Sequence, residues 1–302
     1  MLAKLPLGEA PPEVFGLHTN ATITRDLAET RQLLDGLALV TATLTAATTA
    51  RAEEANPADG STPHGSRIAS DSGGGHHSVG LRSIASEILT KLPVDFDLEA
   101  ASRKYPVTYL DSMNTVLVQE LGRVNALLQV IRLTLEELGR ALSGEVVMSG
   151  ELERLAQALV AGKVPDLWLA KSFPSLKSLG PYVKELLERV QFFDSWLNNG
   201  PPVVYWISGF FFTQAFLTGA KQNYARKHRI PIDLIDFHHI VCDLPDDSLR
   251  APDSGVLCSG MFLEAAAWDI VGHRLCESEP RALFVQLPPV HFRPAKMGEE
   301  EQ

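Results

Sequence analysis

A mostly helical multi-helix layer followed by a small, incomplete antiparallel β-barrel, an α+β fold, is what three features of this 302-residue sequence predict. Apolar residues recur at helical spacing in several separate blocks as far as His228. After Pro231 the pattern shifts to short runs of aliphatic and aromatic residues separated by Pro, Gly and Asp. Between the two lies Gly200 to Ile230, which concentrates more aromatic bulk than any other stretch. With 45% apolar and 21% charged residues the chain has the composition of a globular protein with a real core.

Residues 1–16 hold three prolines and two glycines and read as an extended linker. Asn20 suits the cap of a helix from Ala21 to about Leu39, with Ile23, Leu27, Thr30 and Leu34 on one face. Residues 41–80 turn to Ala, Thr, Ser, Gly, Pro and His, ending near SDSGGGHHS, and predict a disordered surface insertion. The adjacent His76 and His77 lack the further ligands a metal site needs. A short helix is expected from Ser83, with Ile84, Ile88 and Leu92 inward and Pro93 as its stop, then a connection over Asp95 to Thr108.

Leu117, Leu121, Val124, Leu128, Ile131, Leu135, Leu138 and Leu142 alternate steps of four and three, a heptad seam. A helix from Asp111 to Leu142 would be roughly 50 Å long at about 1.5 Å per residue. Met113, Val116, Leu127 and Leu133 widen the stripe and favour a buried bundle helix over a two-stranded coiled coil. Gly144 ends it, and a helix from Glu151 to Val160 should bury Leu152, Leu155 and Leu159. Trp168 and Phe173 should pin the following connection to a core. Pro181 suits the first turn of a helix to about Leu197, carrying Val183, Leu186, Leu187, Val190, Phe193 and Leu197.

In the junction, Val203 to Ile207 is expected to be extended, Ser208-Gly209 to be a joint, and a helix to run from about Phe211 to His228. Phe212, Phe216, Ala220 and Tyr224 then share one face at i, i+4 spacing. Arg226, Lys227, His228 and Arg229 complement the helix dipole at its end. Trp206, Phe210, Phe212, Phe216 and Tyr224, with Leu121, Leu128 and Leu135 of the seam, form the predicted structural core. The helical part thus covers 17–230, and 231–302 supplies a partial barrel. Its strands are expected near Ile232 to Val241, Val256 to Ala265 and Leu283 to Phe292, the last demoted to an edge or bulge by Pro288 and Pro289.

No constellation of catalytic, cofactor-binding or metal-ligating residues is evident. Gly255 and Gly260 have the spacing of phosphate-loop glycines, but Met261-Phe262 stands where Lys and Ser or Thr are needed. His238 and His239 on a strand point to opposite faces, and Asp233 and Asp236 read as turn and edge residues. A net charge of −10 argues against nucleic acid as a partner. Three cysteines without CxxC spacing suggest neither a disulfide framework nor zinc, and predict a reducing, intracellular setting. No run of apolar residues is long enough to span a membrane.

Four long words carry more than these patterns do. PEVFGLHTNATIT (Pro12 to Thr24), KYPVTYLDSMNTVLVQELGRVNALLQVI (Lys104 to Ile131), VPDLWLAKSFPSLKSLGPYV (Val164 to Val183) and WISGFFFTQAFLTGAKQNYARK (Trp206 to Lys227) closely resemble the C-terminal region of dynein heavy chains, of the axonemal branch more than the cytoplasmic. Trp268 to Ile270 lies where that family carries a similar GxxWD-type element. The resemblance implies a set of helices followed by a β-barrel, lying across one face of the AAA+ ring of a minus-end-directed microtubule motor. It makes residues 1–16 a linker from the preceding AAA+ module. It also implies a structural and regulatory part with no catalytic site, ATP and Mg²⁺ belonging to upstream modules of the parent motor. The implied partners are the ring of the same heavy chain and, through the parent complex, intermediate and light intermediate chains and microtubules. The implied location is the cytoskeleton of cilia and flagella. The family's barrel has further strands, so this chain is expected to stop short of its end. The competing expectation is a free-standing helical adaptor that dimerises through the 117–142 seam.

Overall fold

The computed structural model describes Leu27, Thr30 and residues 74–243, 248–279 and 282–298. Leu27 and Thr30 are helical, but the rest of the helix expected from Ala21, the entry over 1–16 and most of the 41–80 insertion lie outside the described residues. Seven α-helices among the described residues precede or flank a set of small, mainly antiparallel sheets with no closed barrel, so the α+β architecture is as expected. The chain divides into two compact units, one of residues 31–95 and 125–187, the other of 1–30, 96–124 and 188–302. Two helices, Ser112–Leu142 and Leu179–Asn199, contribute residues to both.

The first unit is helical. Helix α1, Gly74–Lys91, begins inside the segment expected to be an insertion, and it buries Leu81, Ala85 and Ile88 rather than Ile84 and Leu92. Ile88 is inward as expected, Ala85 takes the place of the half-buried Ile84, and Leu92 lies past the helix end. The second unit supplies the next helix in chain order, α2, Leu98–Lys104. From the long helix α3, Ser112–Leu142, the first unit takes the second half, where Leu127, Leu128, Ile131, Leu135 and Leu138 are fully enclosed. Leu133 is 64% exposed, because it stands two residues from both Ile131 and Leu135 and so points away from their face. Asp95 ties the connection after α1 to this helix: it accepts hydrogen bonds from Gln129 Nε2 (2.8 Å) and Arg132 Nη1 (2.9 Å).

Helix α4, Gly150–Val160, is capped by Ser149, whose hydroxyl accepts from the Leu152 amide, and buries Leu152, Leu155 and Leu159 as expected. The one-turn helix α5, Asp166–Leu169, carries the buried Trp168 indole to Thr134 Oγ1, to which it donates at 3.0 Å. Phe173 stacks on Tyr182 with ring centroids 5.2 Å apart. Tyr182 belongs to α6, Leu179–Asn199, where Pro181 sits in the first turn.

The second unit opens, among the residues described, near α2, in a stretch expected to be mere connection. The signals of α2 are an Asp97 cap accepting from the Glu99 and Ala100 amides, and Arg103 and Lys104 in the last turn; seven residues are too few for a periodic stripe. The unit then uses the first half of α3, the end of α6, and α7, Thr213–His228. Helix α7 crosses α3 at Gly219, where even a methyl group would crowd Val116 and Met113.

Four strands form a mixed sheet in the order β1-β3-β8-β2. They are β1 Val204–Trp206, β2 Ile235–Val241, β3 Val256–Ser259 and β8 Val290–Lys296. Strands β2 and β8 pair over seven residues, Ile235 against Lys296 to Val241 against Val290. The pair β1 and β3 is parallel, Val204 against Leu257 to Trp206 against Ser259. Strand β8 is interior rather than at an edge: Pro288 and Pro289 precede it, and its own Pro294 lies beyond the last β3 partner, Phe292, so no ladder bond to β3 is lost there. Two further ribbons pair β4, Phe262–Glu264, with β7, Phe284–Gln286, and β5, Ala266–Asp269, with β6, Arg274–Glu277. The expected single strand over Val256 to Ala265 is thus two, divided at Gly260, whose φ of +84 and closeness to the Trp206 indole exclude a side chain. Gly255 and Gly260 are turn glycines flanking β3, not a phosphate loop.

Candidate functional site at the helix-sheet junction

The densest part of the second unit is the junction itself. Phe192, Phe193 and Trp196 of α6 meet Tyr205, Trp206, Phe210 and Phe216 in a continuous set of ring contacts. Phe210 and Phe216 stack at 4.3 Å, and Tyr205 lies 4.9 Å from Phe216. The extended entry shortens to β1, residues Ile207–Gly209 form a single 3₁₀ turn at the expected joint, and α7 starts two residues later than expected.

Of the predicted core residues, Phe210, Phe216, Leu121, Leu128 and Leu135 are buried, while Trp206 and Tyr224 are half-buried. Phe212 is 51% exposed and needs correction. It is the cap residue of α7 with φ −130 and ψ 80, outside the helical region, so the i, i+4 projection that placed it beside Phe216 does not apply. Its ring instead packs against the Arg123 guanidinium, which lies 5.6 Å from the ring centroid.

Two charged residues that sequence reasoning passed over organise this junction. Glu120 is carried inward one turn after Val116 and one before Val124, and its side chain is wholly enclosed. It accepts from the Phe211 amide (2.6 Å), the Phe212 amide (3.3 Å) and Arg123 Nη1 (2.6 Å). No side chain of Phe212 can cap α7, so a carboxylate from another helix stands at its positive end. Burial pushes the Glu120 pKa above the usual carboxylate range, and the two amides and Arg123 oppose this without cancelling it. Arg189, also buried, donates from Nη2 to the Ser208 carbonyl (2.6 Å) with its guanidinium 5.1 Å from the Trp206 ring centroid. Ser208 Oγ donates to the Gly260 carbonyl at 3.0 Å, which ties the 3₁₀ joint to the turn after β3. The signal for both was available: Glu120 and Arg189 interrupt apolar stripes on their own helices.

At the other end of α7 a groove of about 1550 Å³ opens between the segment Tyr109 to Met113, the Pro201-Pro202 turn, the helix end and the start of β3. Arg226 donates to Ser112 Oγ (2.8 Å) and to the Tyr109 carbonyl, and lies 4.5 Å from the Tyr109 ring centroid. Ser112 Oγ in turn donates to Gln222 Oε1 at 2.9 Å, and the Ser112 amide donates to Asn223 Oδ1. Tyr205 and Cys258, neighbours across β1 and β3, are both held neutral by burial, the thiol pushed up to about 12.

His238 is half-buried and His239 exposed against Phe292, so they take opposite faces of β2. Asp233 sits in a 3₁₀ turn and Asp236 pairs with Lys221 at 3.2 Å. Among the described residues no group of three or more His, Cys, Asp or Glu side chains is placed to hold a metal, and no helix is long and apolar enough to cross a membrane. Cys242, Cys258 and Cys276 are free thiols.

A helical layer led through an aromatic joint into small sheets is the setting of these residues, and known proteins share the sequence that builds it. The family model that describes the C-terminal domain of dynein heavy chains matches residues 61–302. The chain is 46% identical over 295 residues to dynein axonemal heavy chain 3 of Mus musculus, an alignment covering 98% of this chain and 7% of that protein. It is 44% identical over 296 residues to dynein axonemal heavy chain 12 of Homo sapiens (98% and 9%) and 41% identical over 294 residues to dynein axonemal heavy chain 1 of Homo sapiens (97% and 6%). It therefore spans less than a tenth of the length of these curated relatives. By the extent of the family match, this chain belongs to the family of C-terminal domains of dynein heavy chains.

Proposed function

We propose that the chain is the C-terminal structural and regulatory region of an axonemal dynein heavy chain, packing on the AAA+ ring of a minus-end-directed microtubule motor in cilia or flagella. The match to the family model over residues 61–302 carries this reading. In it, residues 1–16 link to the preceding AAA+ module, 17–230 form the helical part and 231–302 contribute barrel strands. ATP hydrolysis with Mg²⁺ and microtubule binding belong to the parent motor outside this chain, as do its intermediate and light intermediate chains. The buried Glu120 and Arg189 then serve the joint between helices and sheet rather than chemistry on a substrate.

The test compares the ATPase, force and processivity of the parent motor with and without residues 17–302. A change in force or processivity supports the reading, and an unaltered motor overturns it. The adaptor alternative is disfavoured by one observation: Leu117, Leu121, Val124, Leu128, Ile131, Leu135 and Leu138 are already fully buried within a single copy of the protein. A seam so occupied has no apolar face left for a second copy.

A further inference from the structure

The outer strand of the β5-β6 hairpin packs on little. All four residues of β6 are exposed, Leu275 among them, and so are Ile270 and Val271 of the connecting turn. Apolar burial therefore contributes little to holding this end of the hairpin. One side chain from outside fastens it. Asp243, two residues past β2, accepts from the Trp268 indole through Oδ1 (2.7 Å) and from His273 Nδ1 through Oδ2 (2.7 Å). The Asp243 side chain is 19% exposed and that of His273 70%, so the carboxylate is sheltered while the imidazole is open to protons from solvent. His273 takes a left-handed backbone, φ 47, which glycine favours and which Asn, Asp and His adopt more readily than other residues.

Other ionisable groups surround the pair. Asp269, at the end of β5, accepts through Oδ1 from the Val271 and Gly272 amides, and its Oδ2 lies 3.7 Å from Arg274 Nε. Burial pushes the Cys242 thiol, beside Asp243, above its ordinary value, so it carries no charge at neutral pH. Cys276 turns its thiol to the Ala267 carbonyl, and Glu277 stands at the far end of the hairpin, opposite Ala266. Asp243 is thus the carboxylate that His273 meets. Histidine is the side chain whose charge ordinarily changes between about pH 5 and 8, a range in which carboxylates stay ionised. Neutral, the imidazole donates an ordinary hydrogen bond to Asp243; protonated, it donates a charge-assisted one, about twice as strong.

We propose that Asp243 and His273 form a proton-sensitive clasp, which holds the β5-β6 hairpin to the end of β2 more tightly in mildly acidic than in alkaline solution. A charge that gains its partner only in the closed hairpin contributes on the acid side, and the contribution is lost as pH rises through the histidine range. Solvent screening at the exposed imidazole keeps the change in the closing equilibrium to about two- to fivefold. The inference is independent of the motor reading, since it concerns contacts within the second unit alone.

The test is amide hydrogen exchange of the 302-residue chain, followed by NMR at about pH 5.5 and about pH 8 and corrected for the intrinsic pH dependence of exchange. Relative to the β2-β8 ladder in the same sample, the Ala266 to Glu277 amides should be about two- to fivefold better protected at the lower pH. His273→Asn keeps a residue suited to the left-handed backbone and a hydrogen-bond donor, without a titrating charge. Its hairpin should stay formed, with the same relative protection at both pH values. Asp243→Asn should also remove the difference, and should lower protection at both values because Trp268 and His273 lose their charged acceptor. Three results would overturn the proposal. They are a wild-type protection that is constant or rises with pH, a difference retained in His273→Asn, which would place the titrating group elsewhere, and a difference retained in Asp243→Asn, which would give His273 another partner.

Discussion

The two halves of α3 carry one continuous apolar seam but solve burial differently. After the buried Asn125, the fully enclosed residues of the second half, Leu127, Leu128, Ile131, Leu135 and Leu138, are all aliphatic, and its polar contacts, Arg132 with Asp95 and Thr134 with the Trp168 indole, are made by half-buried side chains of the helix. From Ser112 to Val124 the seam includes a fully enclosed carboxylate, Glu120, which reaches the Phe211 amide, while Arg123 lies against the Phe212 ring. The difference shows what each half has to hold. An aliphatic face needs only area, worth about 25 cal/mol per Å². The joint of β1 and α7 leaves two backbone amides inside the protein, and these need an acceptor that no neighbouring residue of their own segment supplies.

The largest break is expected in the aromatic half. Phe216 is fully buried between Phe210 and Tyr205, so Phe216→Asp places an unpaired charge there. The cost should exceed about 4 kcal/mol and abolish a cooperative thermal transition of the protein. A wild-type melting curve would refute this placement of the ring. The aliphatic counterpart is Leu128→Ala, with a loss of about 2–5 kcal/mol set by how far the cavity collapses. Its urea midpoint should fall with an unchanged slope, since area is all that is removed.

Glu120 gives the sharper contrast. Glu120→Ala removes the acceptor of the Phe211 and Phe212 amides and should cost about 2–3 kcal/mol. Glu120→Gln keeps an acceptor and removes the charge that burial disfavours, so the loss should be about 1 kcal/mol or less. The sign with pH follows from the raised pKa. A carboxyl whose pKa is higher folded than unfolded binds its proton more tightly in the native state. Its contribution is fully present below the unfolded value and declines as pH rises through the folded one. Relative to Glu120→Gln, wild type should therefore lose ground between acidic and neutral pH; parallel profiles would show that the amides and Arg123 outweigh burial.

These contrasts also mark what is legible in the sequence. Period alone discloses the long helix to within a residue, because a heptad seam is redundant: many leucines report one face. It discloses Leu152, Leu155 and Leu159 for the same reason, and the bulk of Trp168 and Phe173 marks them as anchors. Phe212 and Leu133 go astray because single residues are placed by local backbone and by exact angular position, neither of which a spacing rule fixes. The hairpin of β5 and β6 escapes because its strands alternate weakly and β6 is exposed throughout. The charged partners of the joint look like interruptions of apolar stripes; only the positions of the Phe211 amide and the Ser208 carbonyl reveal Glu120 as an acceptor and Arg189 as a donor there. Family membership, by contrast, is legible in four words, because their length and order are specific without any knowledge of what each residue touches.

The smallest effect belongs to Asp95, and it should run the other way with pH. Burial alone would raise its pKa, but the hydrogen bonds from Gln129 and Arg132 and the charge of Arg132 together bring it below the ordinary 3.8. A carboxylate depressed in the folded state contributes stability above its unfolded pKa, and that stability is lost as pH falls through the folded value. The pair is partly exposed, about 30% on each side chain, so solvent screening holds the effect of Asp95→Asn to about 1 kcal/mol or less at neutral pH. Urea midpoints of wild type and Asp95→Asn should therefore converge as pH is lowered toward and below that folded value. At higher pH, between the ordinary glutamate value of 4.5 and the raised folded value of Glu120, wild type should gain on Glu120→Gln as pH falls. Convergence in one pair and divergence in the other, from two carboxylates at the margin and in the interior of one helix seam, is what burial against compensation requires; the same pH trend in both would mean that one carboxylate is not held as its contacts indicate.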